Sequence, residues 1–281
     1  MATPTIQRRR LGAALRRARE QAAKTQEEAA AVLDAASSKV SRLEQGQSGI
    51  KLTDLQLLLN LYGVNEGQAT SLRELARAGK QRGRWSGHRH VVPDWFRSYM
   101  DLEADASEIR WYQAEIVPGL LQTEHYMQAI HAGARPEASV EERDNHVKVR
   151  MERAAILDTP QAPSLKFILS ESALRRNVGG AHVQREQLQY LVEVSQRPNI
   201  ELQVYPFVAQ TYEPATFGFT ILRFDDDPHS DVIYIEDYTD ADYLDRPESV
   251  QAHLNLWARL RAAAWGSVES RELIRNIAAE T

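Results

Sequence analysis

The sequence predicts a multidomain chain: an all-α domain of five helices over residues 1–78, then an α+β domain over 93–281 with a sheet of about four strands. Three observations carry that expectation. Capped helical periods fill roughly the first 75 residues. The charge balance reverses between the two parts. Strand-like alternation belongs to the second part and is clearest after Pro160. Residues 79–92 read as a basic linker.

The first helix begins near Arg8. Leu11, Leu15 and Ala18 face inward, and Arg9, Arg10, Arg16 and Arg17 face outward. Cations so placed can neutralise phosphates; a solubilising helix surface is the alternative, and for Arg17 the favoured one. Thr25 opens the second helix three residues before Glu28, the spacing of a capping box. Its buried face is Ala29, Ala30 and Leu33. The third helix runs from about Ser37, its expected cap, to Glu44, with Val40 and Leu43 inward and Gly46 as a left-handed stop. Its remaining face holds Ser37, Ser38, Lys39, Ser41 and Arg42, with two cations and no acid. Side chains of this kind reach base edges or phosphates. Two short helices joined by a tight turn make a helix-turn-helix, whose second helix enters the major groove.

Gln26, Glu27 and Glu28, followed by Ser41, Arg42, Leu43, Glu44 and Gly46, resemble the XRE-type regulators, the family of phage repressors and their bacterial relatives. The resemblance implies that Gln26 touches the DNA backbone, that Ser37 and Ser38 read bases, and that Arg42 makes a further contact. It also implies that Arg19 pairs with Glu44 and holds two helices in register. The turn departs from the family pattern. Asp34 stands where glycine is usual, and Asp tolerates a left-handed backbone better than most residues.

Thr53 is the expected cap of the fourth helix, with Leu55, Leu58, Leu59 and Tyr62 on its core face and Gly63 at its end. A fifth helix from about Gln68 to Ala78 offers Leu72 and Leu75. The segment 77–90, which runs into the linker, carries Arg77, Lys80, Arg82, Arg84 and Arg89 with no acid, either as a basic arm against DNA or as a plain connector. His88 and His90 lack further ligands, so no metal site is expected.

The body opens with a helix after Pro93 carrying Trp95, Phe96 and Tyr99, then an extended stretch from Ser107 to Glu115. Thr123 caps a helix with Tyr126, Met127 and Ile130 inward. Ser139 to Leu157 is a longer helix with Val140, Val147, Met151 and Ala155 as apolar positions. Leu165, Phe167 and Leu169 alternate, as do Ile200, Leu202 and Val204; Phe217, Phe219 and Ile221 share a face, and Val232 to Ile235 reads as a central strand. Helices are expected over His182–Val194, Pro247–Ala264 and Val268–Ala278.

The segments EIVPGLLQTEHY, LSESALRRNVGG, QLQYLVEVSQRPNIELQVYPF, FGFTILRF and VIYIEDY, followed by VESRELI, bring a second resemblance. They look like a domain of unknown function, described as antitoxin-like, that follows the XRE head in many actinobacterial regulators. It implies a regulator often encoded beside a small companion protein that it binds.

Charge sharpens the division. Residues 1–90 hold 16 Lys and Arg against 8 Asp and Glu, a net of +8, while residues 91–281 stand at −13. A basic head on an acidic body is the footprint of a tethered DNA reader. With no cysteine, disulfides and thiolate chemistry are excluded, which fits a reducing cytoplasm. The opening does not read as a signal peptide, and no stretch approaches the roughly 20 apolar residues of a membrane span.

No catalytic motif stands out, so the chain is expected not to be an enzyme and to need no cofactor. The acids Glu236, Asp237, Asp240 and Asp242 read as a solvated strand end. Trp111, Tyr112, Glu115, Leu120, Leu121 and Tyr126 are the candidates for contact with a partner or ligand, although aromatics in such patterns are more often core. The expected function is a sequence-specific transcriptional regulator, a homodimer on a pseudo-palindromic operator, sensing a small protein or a small molecule. The alternative is an antitoxin-like protein that binds its companion and autoregulates its operon.

Overall fold

The computed structural model describes residues 6–79, 85, 88, 91–159, 162–209, 215, 217–224, 231–237 and 239–281, the side chains of Ile6 and Asp94 excepted. Of the linker, Lys80, Arg82, Arg84, Arg89 and His90 lie outside the described residues. Contacts divide the chain into two units, Met1–Asp105 and Ala106–Thr281.

The first unit is helical: α1 (Ile6–Gln21), α2 (Gln26–Val32), α3 (Ser37–Glu44), α4 (Leu52–Leu61), α5 (Glu66–Ala78) and α6 (Asp94–Asp105). Leu11 and Leu15 of α1, Ala29 and Ala30 of α2, Val40 and Leu43 of α3, Leu55, Leu58 and Leu59 of α4, and Leu72 of α5 form one core. The capping box at Thr25 and Glu28 is present. Two other caps differ from expectation. Ala36 and Lys51 precede α3 and α4 without a side-chain bond, so Ser37 and Thr53 sit inside the first turns rather than before them.

The first four helices of this unit, α1 to α4, end alike. Lys24 N reaches Arg19 O at 3.0 Å, Ala35 N reaches Ala30 O at 3.0 Å, Gln47 N reaches Arg42 O at 2.9 Å, and Val64 N reaches Leu59 O at 3.1 Å. These are Schellman closures, and each needs one left-handed residue. Gly46 and Gly63 supply it at φ 68° and 66°, whereas Ala23 and Asp34 are held at φ 54° and 45°. A side chain in that region costs roughly 1–2 kcal/mol, offset in part by glycine's greater freedom when unfolded. Ala23→Gly and Asp34→Gly are therefore each expected to stabilise the unit by about 0.5–1 kcal/mol. A urea unfolding midpoint that falls in either variant would contradict this.

The arginines of α1 do not all face outward. Arg8 and Arg9 are buried, because a Cβ built on Gly46 would lie 2.7 Å from Arg9 Cα and one on Gly79 would lie 2.8 Å from Arg8 Cγ. The ends of α3 and α5 thus close over the start of α1, and the long stems pack beneath them. Gly12 marks the crossing of α1 and α3, where a Cβ would meet Leu43 O at 2.5 Å.

The second unit is α+β around a sheet of six strands rather than about four, in the order β3-β2-β1-β4-β5-β6. The strands are β1 (Glu108–Gln113), β2 (Ser164–Ser170), β3 (Ile200–Tyr205), β4 (Phe219–Arg223), β5 (Val232–Glu236) and β6 (Ala241–Leu244). β1, β2 and β3 run parallel, and β4, β5 and β6 add antiparallel pairs. The helices are α7 (Glu124–Ala134), α8 (Val140–Ala154), α9 (Glu171–Arg175), α10 (Ala181–Val194), α11 (Pro247–Ala263) and α12 (Ser267–Glu280). Trp257 and Leu260 of α11 cover one sheet face, against Tyr112, Ile168, Phe219, Ile221 and Ile233.

β6 is the strand that hydrophobic alternation does not reveal. It lies at an edge and is only partly covered, so Asp242 and Tyr243 are compatible with it. The neighbouring acids make its turn: Asp237 Oδ1 accepts from Thr239 N at 2.7 Å and from Asp240 N at 2.8 Å. The opposite edge, β3, is capped at Val204. Val204 N donates to Ser270 Oγ at 2.9 Å, and Val204 O accepts from Trp265 N at 2.9 Å. α8 also turns a different face inward than expected. Val140 and Met151 are exposed, while Val147, Val149 and Arg153 are buried.

Candidate nucleic-acid interface

The interface is built on Glu44. Helical spacing from Val40 and Leu43 turns this carboxylate into the unit, where it is 3 % exposed. Arg19 Nε donates to Glu44 Oε1 at 2.6 Å and Arg19 Nη2 to Oε2 at 3.1 Å. Gln26 Nε2 donates to Oε2 at 2.8 Å. One side chain of α3 therefore ties α1 and α2 together. Arg19 Nη1 further donates to Lys24 O at 2.9 Å, which anchors the turn before α2. A fork on a carboxylate fixes direction as well as distance. Its bond to Glu44 raises the Arg19 guanidinium above its ordinary value. Burial, reinforced by the Glu44 charge, pushes the nearby Tyr62 hydroxyl up to about 12.

With α3 so fixed, its outer edge presents Ser38 and Arg42 as exposed residues and Ser37 and Ser41 as half-buried ones. Lys39 stands apart. Its Nζ donates to Asp54 Oδ2 of α4 at 2.8 Å, and that bond draws the Asp54 carboxyl below its ordinary range. A phosphate would have to compete with Asp54 for it. Gln45 is a residue that sequence reading passed over. It is exposed, one turn beyond Ser41, and its Nε2 lies 3.4 Å from Ser41 Oγ. The i, i+4 ridge from Ser37 through Ser41 was the signal for it.

Of the six candidates in the second unit, Trp111, Tyr112, Leu120, Leu121 and Tyr126 are buried. Tyr112 Oη donates to Ala215 O at 2.9 Å, and Arg153 lies over the Trp111 ring, 5.6 Å from its centroid. Glu115 is exposed, where it bonds Ser172 and pairs with Arg176. These five are interior residues and not a surface, and Trp111 and Tyr112, consecutive in β1, point to opposite faces of the sheet. Among the described residues no group of three or more His, Cys, Asp or Glu is placed to hold a metal ion.

Residues 96–276 match the family model described as a domain of unknown function, DUF5753. The chain belongs to this family. Residues 10–78 of this DUF5753 protein match a model described as a helix-turn-helix domain. The match encloses Arg19, Gln26, α3 and Glu44, so the geometry above is that of a DNA-binding module. No curated protein and no solved structure matches the chain. No described helix is long and apolar enough to cross a membrane.

Proposed function

We propose that the chain is a sequence-specific transcriptional regulator of the XRE type, acting as a homodimer on a pseudo-palindromic operator. The observation that carries this reading is the outer edge of α3, with Ser38, Arg42 and Gln45 exposed. The edge is held rigid from within by Glu44. A reader of this size gains affinity when two copies meet successive major grooves, about 34 Å apart. The positive balance of the N-terminal part supports attraction to phosphate, and the acidic body confines contact to the head. The second unit then takes a signal from a small protein or a small molecule and performs no reaction itself. Glu115 is the member of the partner-contact set that a macromolecule could reach.

The test is binding of the full chain to duplexes from its own upstream region, followed by fluorescence anisotropy over a salt series. Preference over scrambled duplex is expected, with log affinity falling linearly in log salt. Equal binding to both duplexes across the whole salt series, or no binding even at low ionic strength, would overturn the reading. Mass spectrometry of co-purifying material separates a sensor of small molecules from an antitoxin-like holder of a companion protein.

A further inference from the structure

α7 and α8 form a hairpin whose connection is closed by Arg143, its Nη2 donating to Pro136 O at 3.0 Å. Inside the hairpin the rings of His131 and His146 meet, centroids 4.7 Å apart and tilted by 43°. Both ring nitrogens of His131 are buried without a hydrogen-bond partner among the described residues, as is Arg143 Nε. Arg135 follows α7 directly, and Arg143 and Arg150 come from α8; all three act on His131. The acid that acts on both histidines is Glu142, whose carboxylate already accepts from Ser139 N at 2.8 Å.

Acids on the surrounding elements are engaged elsewhere. Glu186 of α10 holds His125 Nδ1 at 2.7 Å. Asp158, in the turn after α8, holds Arg197 Nη1 at 2.7 Å. Glu236 of β5 acts on Arg150 rather than on the rings. The turn Gly119–Leu121, packed on α8, carries no charge.

We propose that this imidazole pair is an acid-sensitive latch. Protonation places two like charges beside three arginines in a half-buried seam, and the α7–α8 hairpin loosens while the sheet, α10 and α12 stay folded. Burial first, then the charge of His131 and of the arginines, pushes His146 down to about 4; burial and the same arginines push His131 down as well. A base held below its ordinary 6.5 in the closed form favours that form fully above pH 6.5. The advantage drains away as pH falls from 6.5 toward 4. Between pH 7.5 and 5.0, His146 alone should raise the open-to-closed ratio on the order of tenfold.

Amide hydrogen exchange of the full chain at those two pH values, corrected for intrinsic rates, tests this. Protection of Val147 and Val149 should fall on the order of tenfold at the lower pH, with Leu188 and Leu191 of α10 unchanged. His131→Phe/His146→Phe should keep the pH 7.5 protection and lose the change. If that variant does not fold, His131→Gln serves, and the His146 imidazole should then titrate closer to its ordinary value. Flat protection in the wild-type chain, ordinary titration of His146, or the same loss in the variant without imidazoles would each overturn the latch.

Discussion

Arg19→Ala is expected to destabilise the helical unit by about 3 kcal/mol, the lower end of the range for breaking a buried ion pair. Arg19 is 12 % exposed and Glu44 3 %, so little water can replace the guanidinium. Glu44 would keep the Gln26 amide but lose both prongs of the fork, and a carboxylate left inside without its cation is the costly outcome. The turn at Lys24 O would lose its anchor in the same step. The cost belongs to the orphaned charge and not to the pair as such. Arg19→Met/Glu44→Leu should therefore recover most of the loss. Urea unfolding, with amide exchange in α3 as the local readout, measures both. A double variant as unstable as Arg19→Ala would show that packing, not charge, sets the penalty.

Arg42→Ala should leave folding nearly intact and lower the ratio of operator to scrambled-DNA affinity by about tenfold or more, the 1–3 kcal/mol of one base-reading contact. Arg42 is exposed at the last turn of α3, and its backbone carbonyl, not its side chain, closes the helix end. Lys39→Ala should act differently. Its ammonium is half-buried against Asp54, and exposed pairs of this kind stabilise by at most about 1 kcal/mol. Removing it should weaken binding less than Arg42→Ala and leave the ratio close to wild type. Competition binding on a footprinted operator decides the matter. A wild-type ratio in Arg42→Ala would remove that side chain from base reading.

The helices of the head were legible because their signals are local. The Thr25 capping box, the left-handed Gly46 and Gly63, and the spacing of Val40 with Leu43 each lie within one or two turns of chain. Ser37 and Thr53 misled for the same reason. A hydroxyl near a helix start resembles a cap, yet the backbone here enters the helix at Ala36 and Lys51 with no side-chain help. What was not legible depends on partners far along the chain. Asp54 claims Lys39 from 15 residues away. Gly46 closes over Arg9, which reads as a surface cation. In the body, the pattern around Trp111 and Tyr126 is the same whether those rings line a ligand site or fill a core, and only the third dimension separates the two. β6 was missed because an edge strand needs few apolar residues, so its acids hid it.

The two margins of the sheet differ in what they can accept. At Val204 the outermost amide and carbonyl are already occupied by Ser270 and Trp265, so an incoming chain finds no backbone to match there. A strand added to this sheet would therefore have to pair at the other margin, Ala241–Leu244, which ends the sheet beside β5.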